Sequence, residues 1–350
     1  MKILRRKSRQ ISVGAVKIGG NSLISIQSMT QFPAENFQKN IQQIKKLTKI
    51  GCQIIRIAIP DISQIGSFAK ICQKSPIPVV ADVHFDYKIA VVAAESGAAK
   101  IRVNPGNISE KNFLKIISAA KKNKIPIRIG VNAGSVKLNE SKNMPKILAE
   151  AAKNFSNICE KNNFLNFCVS IKSSDVLENY CANKIFSEMS DAPIHLGITE
   201  SGTEFSGAIA SATGISPLLL EGIGDTIRIS ISGKRENEIL VAKKILENLN
   251  LKSGPRVIAC PTCGRTQMPV GKIAKKIEEN IINVSLPVKI AVMGCAVNGP
   301  GEARNSDFAI IAAGKKMAGI FFRGENIINV EQKIVADKFL KIFNEKLNLL

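Results

Sequence analysis

The sequence predicts an α/β protein, a (β/α)8 TIM-like barrel followed by a small α+β domain. Three observations predict it. Short β-rich apolar runs recur along the first 246 residues, each followed by a polar tip and then a helical stretch. Alternating strands and helices imply parallel pairing. Eight such units match the size of a (β/α)8 barrel, about 250 residues. An open doubly wound sheet is the competing arrangement, but the glycine fingerprint of a dinucleotide fold is missing after the first strand.

The eight runs, in order, are ISIQSMT (24–30), QIIRIAI (53–59), IPVVADV (77–83), KIRVNPG (100–106), IRIGVNA (127–133), VSIKSSD (169–175), IHLGITE (194–200) and TIRISIS (226–232). Amphipathic stretches at 36–51, 112–123 and 144–162 lie between them. Ser109 is a helix-start signal and Gly51 a helix-stop signal. The stretch 247–256, NLNLKSGPRV, is polar and turn-rich and reads as a linker between a barrel over 1–246 and a domain over 257–350. That domain shows RVIACPTCG, a helix at 271–281, PVKIAVMGCAV, a hairpin-like FAIIAAGKKMAGIFF and a closing helix VEQKIVADKFLKIFNEKL. Strict alternation stops there, hence α+β.

Composition narrows the function. With 350 residues and 45% apolar content the chain can bury a large core, most readily as two domains. No run approaches the roughly 18 apolar residues of a membrane helix. The basic N-terminus lacks an apolar segment after it, so a cytoplasmic location is expected. The formal charge of +21 admits nucleic acid or an acidic partner or substrate. With 5% aromatics and no Trp, a base-stacking platform is poorly supplied, so nucleic acid is not expected. Cys52, Cys72, Cys159, Cys168 and Cys181 are scattered among apolar residues and read as small buried hydrophobes.

Strands of a parallel barrel are covered on both faces and should be almost wholly apolar. Five are interrupted by a cation with an aliphatic residue on either side: Arg56, Arg102, Arg128, Lys172 and Arg228. If the aliphatic neighbours pack on the helices, alternation turns each cation into the barrel. A buried charge needs a partner. Asp82, Asp86, Asp175, Glu200 and Asp225 are at most the carboxylates at matching places, and too few are expected to meet the cations if any of them serves elsewhere. The surplus suggests a polyanionic ligand, most simply a phosphate or diphosphate. Polar residues at or just past the strand ends include Asp82, His84, Asn132, Ser170, His195, Thr199, Glu200 and Ser230. This is the catalytic face of such a barrel, and it makes Asp82 and His195 candidate catalytic residues.

Cys260-Pro-Thr-Cys263 is C-x2-C, and Cys295 follows in the same domain; all three come just after apolar runs, beside Gly and Pro. C-x2-C alone fits zinc, a redox dithiol or chance. Structural zinc takes four Cys or His ligands, and this domain has no fourth Cys and no His. A thioredoxin-like dithiol would not require Cys295. Three thiolates suit an iron–sulfur cluster whose fourth iron is held by another group. Glu302, on the loop NGPGEA with Pro300 between two glycines, is the candidate.

ADVHFDY, IRVNPGN, IRIGVNAGS, HLGITESG, DTIRIS, CPTCGRT and GCAVNGPGEA resemble the bacterial two-domain 4-hydroxy-3-methylbut-2-enyl diphosphate synthases of the non-mevalonate isoprenoid pathway. The resemblance runs from VKIGG at 16–20 to about residue 325. It implies reductive ring opening of 2-C-methyl-D-erythritol 2,4-cyclodiphosphate. The two electrons would come from reduced flavodoxin or ferredoxin through a [4Fe–4S] cluster. It assigns Cys260, Cys263, Cys295 and Glu302 to the cluster, and Arg56, Arg102, Arg128, Asn132, Lys172, Arg228 and Ser230 to the diphosphate. Glu200 is implied to handle protons near the reacting carbons. A fold similar to pterin-binding barrels and a head-to-tail homodimer are implied as well. Two other readings use the same features: a pterin- or corrinoid-type methyltransferase, opposed by the five inward cations, and a zinc-bearing RNA-binding protein.

Overall fold

The computed structural model describes residues 3–135, 143–297 and 299–349. Its contacts divide the chain into two compact units, Met1–Leu251 and Lys252–Leu350.

The first unit opens with an antiparallel hairpin, β1 (Gln10–Val13) and β2 (Val16–Gly19), an element absent from the sequence-based expectation. Eight parallel strands follow: β3 (Ser25–Met29), β4 (Ile54–Ala58), β5 (Val79–Asp82), β6 (Lys100–Val103), β7 (Ile127–Asn132), β8 (Phe167–Lys172), β9 (His195–Leu196) and β10 (Thr226–Ile227). Their order is β8-β7-β6-β5-β4-β3-β10-β9, and a parallel bridge between Val169 and Ile194 closes the ring from β8 to β9. Seven expected runs each contain one of these strands, and the run at 169–175 overlaps β8, which begins two residues earlier, at Phe167. The helices are α1 (Phe37–Lys49), α2 (Ile65–Lys74), α3 (Tyr87–Glu95), α4 (Glu110–Lys122), α5 (Met144–Lys161), α6 (Val176–Met189), α7 (Glu204–Leu220) and α8 (Arg235–Asn248).

Local chemistry explains the helix starts. Ser109 accepts from the Asn112 N–H at the head of α4, Asp86 from Lys88 at α3 and Asp175 from Glu178 at α6. Asp86 and Asp175 are therefore caps and do not compensate the barrel cations. Alternation sorts the strand side chains. Ile55, Ile57, Ile101, Val103, Ile127, Ile129, Val169, Ile171, Ile227 and Ile229 are buried in the layer beneath the helices. Ile54, Val80 and Cys168, at the strand starts, pack instead on Ile11, Val13 and Ile18 of the hairpin, which plugs the N-terminal end of the barrel. The scattered thiols are core groups here: burial pushes Cys52, Cys72 and Cys159 up to about 12. Cys181 is the exception, being exposed.

The second unit is a five-stranded mixed sheet: β11 (Arg256–Ala259), β12 (Lys289–Met293), β13 (Phe308–Ala312), β14 (Met317–Phe322) and β15 (Glu325–Glu331), in that order. The first three are parallel and the last three antiparallel. α9 (Val270–Asn280) and α11 (Val335–Lys346) share one core with Phe308, while α10 (Gly299–Arg304) contributes Ala303 to a second cluster with Met293 and Ile311. Two expectations need correction. The closing helix starts at Val335, and 330–331 belong to β15. The cause is the two-residue turn Arg323-Gly324, both with positive φ, which folds ENIINVE back on β14. The NGPGEA segment is a short helix from Gly299 onward, not a loop; its Asn298 lies outside the described residues.

Candidate active site

At the C-terminal ends of its strands the barrel holds a cavity of about 260 Å³. It is lined by Met29, Arg56, Asp82, His84, Arg102, Arg128, Asn132, Ser170, Lys172, Thr199, Arg228 and Ser230. All seven residues expected to meet a diphosphate are in this wall, drawn from β4, β6, β7, β8 and the segment after β10. All five interrupting cations face inward, as alternation requires. Space for them is made at two glycines: a Cβ on Gly130 would lie 2.6 Å from Arg102 Nε, and one on Gly197 would lie 2.4 Å from Lys172 Nζ.

The cations are unequally compensated. Asp82 lies 3.4 Å from Arg56 Nε and 3.2 Å from Arg102 Nη1. Burial works to raise the Asp82 pKa, but Arg56, the His84 hydrogen bond and Arg102 outweigh it and hold the carboxyl well below the usual range. Arg56 also donates to Met29 Sδ at 3.0 Å. Arg228 Nη2 is 3.5 Å from Glu238 Oε1 on α8, and its pKa falls to about 10 because burial and Arg56 outweigh that carboxylate. Among the described residues, Arg128 and Lys172 have no carboxylate within ion-pair distance. Arg128 is 1% exposed, with Nε and Nη1 unpartnered. Burial, then Arg56 and Arg102, pushes it well below its ordinary pKa. Burial, then Arg228 and Arg128, does the same to Lys172. Asp225 lies outside the cavity, taken up by Arg5, Ser8 and the Ile194 N–H. The cavity is thus a strongly electropositive cup, built to receive an anion with several oxygens.

Two strand-end expectations change. His195 heads the two-residue β9, is fully buried with neither ring nitrogen bonded, and does not line the cavity. Burial, then Arg128 and Lys172, drives its pKa well down, so it is a neutral imidazole. His84 lines the wall instead, 3.6 Å from Asp82. Glu200 is exposed, one residue past the lining Thr199, and has a left-handed backbone with φ +53°. Such a conformation is uncommon for a residue of this kind and marks a constrained turn.

In the second unit, the cysteines lie at the C-terminal ends of two adjacent parallel strands. Cys260 directly follows β11 and Cys295 follows β12 by two residues. The two segments are laced together. Cys260 N–H donates to Val292 O at 3.1 Å and Gln267 N–H to Gly294 O at 2.8 Å. Gly294 N–H donates to Cys260 Sγ at 3.2 Å. Thr266 Oγ1 accepts from the Cys263 N–H at 2.9 Å. Cys263 is exposed; Cys260, Cys295 and Glu302 are half-buried. Glu302 is in the first turn of α10, whose Gly299 packs so closely that a Cβ would lie 2.4 Å from Ile311 Cγ2. Gly301 has open space around it. Among the described residues, no three His, Cys, Asp or Glu side chains are drawn together tightly enough to hold a metal ion.

A family model described as the GcpE TIM-barrel domain matches residues 8–243, and one described as the GcpE protein C-terminal domain matches 256–345. The chain belongs to the GcpE family. A Persephonella marina relative is 44% identical over 97% of this chain and 98% of its own length. A Thermotoga maritima relative is also 44% identical, over 97% and 98%. Both are called 4-hydroxy-3-methylbut-2-en-1-yl diphosphate synthase (flavodoxin). The dihydropteroate synthase of Stenotrophomonas maltophilia superposes with a TM-score of 0.53 at 12% identity, over 69% of this chain and 97% of that one. A Yersinia pestis DHPS gives 0.52 at 10%, over 70% and 100%. At that identity these two show a shared barrel fold alone.

For this GcpE chain, sequence reasoning missed Met29, whose sulfur accepts from Arg56, and Glu238, whose carboxylate reaches Arg228 from a helix. A cation-bearing strand start was visible at Lys100 too; it is fully buried, with Nζ unpartnered. No helix among the described residues is long and apolar enough to cross a membrane.

Proposed function

We infer that the chain opens the ring of 2-C-methyl-D-erythritol 2,4-cyclodiphosphate to give (E)-4-hydroxy-3-methylbut-2-enyl diphosphate, the product that its relatives' names give. Counted on the neutral acids, the ring C–O bond to the diphosphate breaks, one hydroxyl leaves as water, and two electrons and two protons are consumed. The observation that carries this reading is the five-cation cavity with one inward carboxylate, Asp82. Arg56, Arg102, Arg128, Lys172 and Arg228 bind the diphosphate, and Asn132 and Ser230 orient it. Asp82 fixes Arg56 and Arg102 and orients His84. Glu200, on its constrained turn beside Thr199, is the candidate to deliver a proton. His195, buried and absent from the cavity wall, is given no direct part in the reaction.

Cys260, Cys263, Cys295 and Glu302 would hold a [4Fe–4S] cluster. Three thiols and one carboxylate, with the Cys260 and Cys295 segments hydrogen-bonded together, are a fitting donor set. The cluster, when bound, supplies the two electrons one at a time. Reduced flavodoxin is the donor that the relatives' names suggest. A cytoplasmic location and a head-to-tail homodimer complete the proposal. The decisive test is anaerobic purification with iron and sulfide analysis, then turnover of the cyclic diphosphate with a reductant. A colourless, iron-free protein inactive after reconstitution would overturn the reading.

Leu in place of Arg56, Arg102 or Arg128 is expected to weaken substrate binding roughly 10- to 100-fold, since a charge-assisted hydrogen bond contributes about 1.5–3 kcal/mol. Calorimetric titration measures it, with the visible spectrum unchanged. Unaltered affinity in all three would make these cations structural.

Lys172 predicts proton uptake. Burial, then Arg228 and Arg128, holds its pKa well below the ordinary value; a bound diphosphate favours the ammonium and raises it. Between the two pKa values, binding therefore takes up protons, and affinity falls as pH rises. Calorimetry in two buffers of different ionisation enthalpy detects the uptake, and Lys172→Met should abolish it.

The +21 charge gives a further expectation. If it helps dock an acidic flavodoxin, turnover with that donor falls as salt rises, because exposed charges are screened over about 8 Å at physiological ionic strength. A flat rate from low to high salt removes this role.

A further inference from the structure

We propose that Glu238 is a positioning residue: from α8, outside the barrel, its carboxylate holds the Arg228 guanidinium in the orientation that receives a diphosphate oxygen. This rests on the cavity being the diphosphate site. Glu238 is 1% exposed. Its Oε1 lies 3.5 Å from Arg228 Nη2 and also accepts from Arg235 Nη1. Its Oε2 accepts from Ser28 Oγ at 2.8 Å. Both oxygens are engaged, so the carboxylate is locked. Ser28 belongs to β3 and carries no cavity surface, whereas the next residue, Met29, lines the cavity. Glu238 therefore grips Arg228 from behind the wall and puts no negative charge into the cup. Arg228 Nε has no protein partner. One guanidinium nitrogen is thus tied back while Arg228 remains part of the cavity wall.

Removing this carboxylate has two opposed effects. It makes the cavity more positive, which strengthens anion binding, and it releases Arg228, which weakens it. The added positive charge acts from behind the wall, whereas the lost orientation acts on Arg228 at the cavity surface itself, so the loss of orientation should dominate.

The test is calorimetric titration of inorganic pyrophosphate into the full-length protein, with Glu238→Gln, Arg228→Gln and the double variant. Glu238→Gln should bind about tenfold more weakly, with no further loss when Arg228→Gln is already present. Unchanged or tighter binding, or the same tenfold loss in the Arg228→Gln background, overturns the proposal. Should Glu238→Gln not fold, Ser28→Ala loosens the same carboxylate without uncovering a charge. It should weaken binding by about threefold only while Arg228 is intact, and unchanged affinity there is equally fatal. Wild-type protein that fails to bind pyrophosphate would defeat the diphosphate reading itself, and this inference with it.

Discussion

Serine in place of Cys295 is expected to leave the protein without iron–sulfur absorption and with iron near background. The same holds for Cys260 and Cys263, because each would supply one of only three thiolates and a hydroxyl is a poor ligand for the iron of such a cluster. The measurement is iron and sulfide content after anaerobic purification, read beside the visible spectrum. The controls are built into the same chain. Cys52 and Cys159 are buried in the barrel core, and Cys52 Sγ already donates to Ile54 O at 3.2 Å. A serine can keep that bond, so iron content should be intact and the stability cost small. Full iron in Cys295→Ser would end the ligand assignment.

Glu302→Cys is expected to assemble a cluster and yet lose most turnover. A carboxylate is a hard, exchangeable ligand, whereas a fourth thiolate is soft and holds on. Glu302→Ala should assemble poorly or lose one iron, since nothing replaces the fourth donor. Both variants should still bind the cyclic diphosphate, because none of the cavity residues is altered. Spectra, iron content, affinity and turnover separate the cases. A fully active Glu302→Cys, or an Ala variant with a complete cluster and normal turnover, would remove Glu302 from the proposed chemistry. The short α10 makes the contrast clean. Its Gly299 is locked against Ile311, so a change at 302 should leave the helix in place.

Much of this was legible because the signals are local. A cation between two aliphatics on a covered strand has one reasonable direction to point, and all five cations take it. The Asp86 and Asp175 carboxylates illustrate the limit. They sit at the right places after strands, but each is a helix cap. The sequence showed too few carboxylates; the structure shows still fewer in the cavity, with Glu238 as an unforeseen contributor from behind. His84 and His195 show the other limit. Both looked like strand-end residues, and the ladder puts one in the wall and the other in the interior.

By itself, the amino-acid sequence determined the eight alternating units, the inward turn of the five cations, the second α+β unit and the cysteine spacing. These follow from side-chain period, turn chemistry and short spacings, which act within a few residues. Tertiary structure alone decided which residues meet. The hairpin β1–β2 plugs the barrel only because Ile54, Val80 and Cys168 leave an apolar floor for it. Glu238 finds Arg228, and Met29 finds Arg56, only when the barrel closes and brings β10 beside β3 and β3 beside β4. The physical reason is register: hydrogen bonding between distant strands sets which side chains face one another across the barrel, and periodicity along the chain carries no record of it.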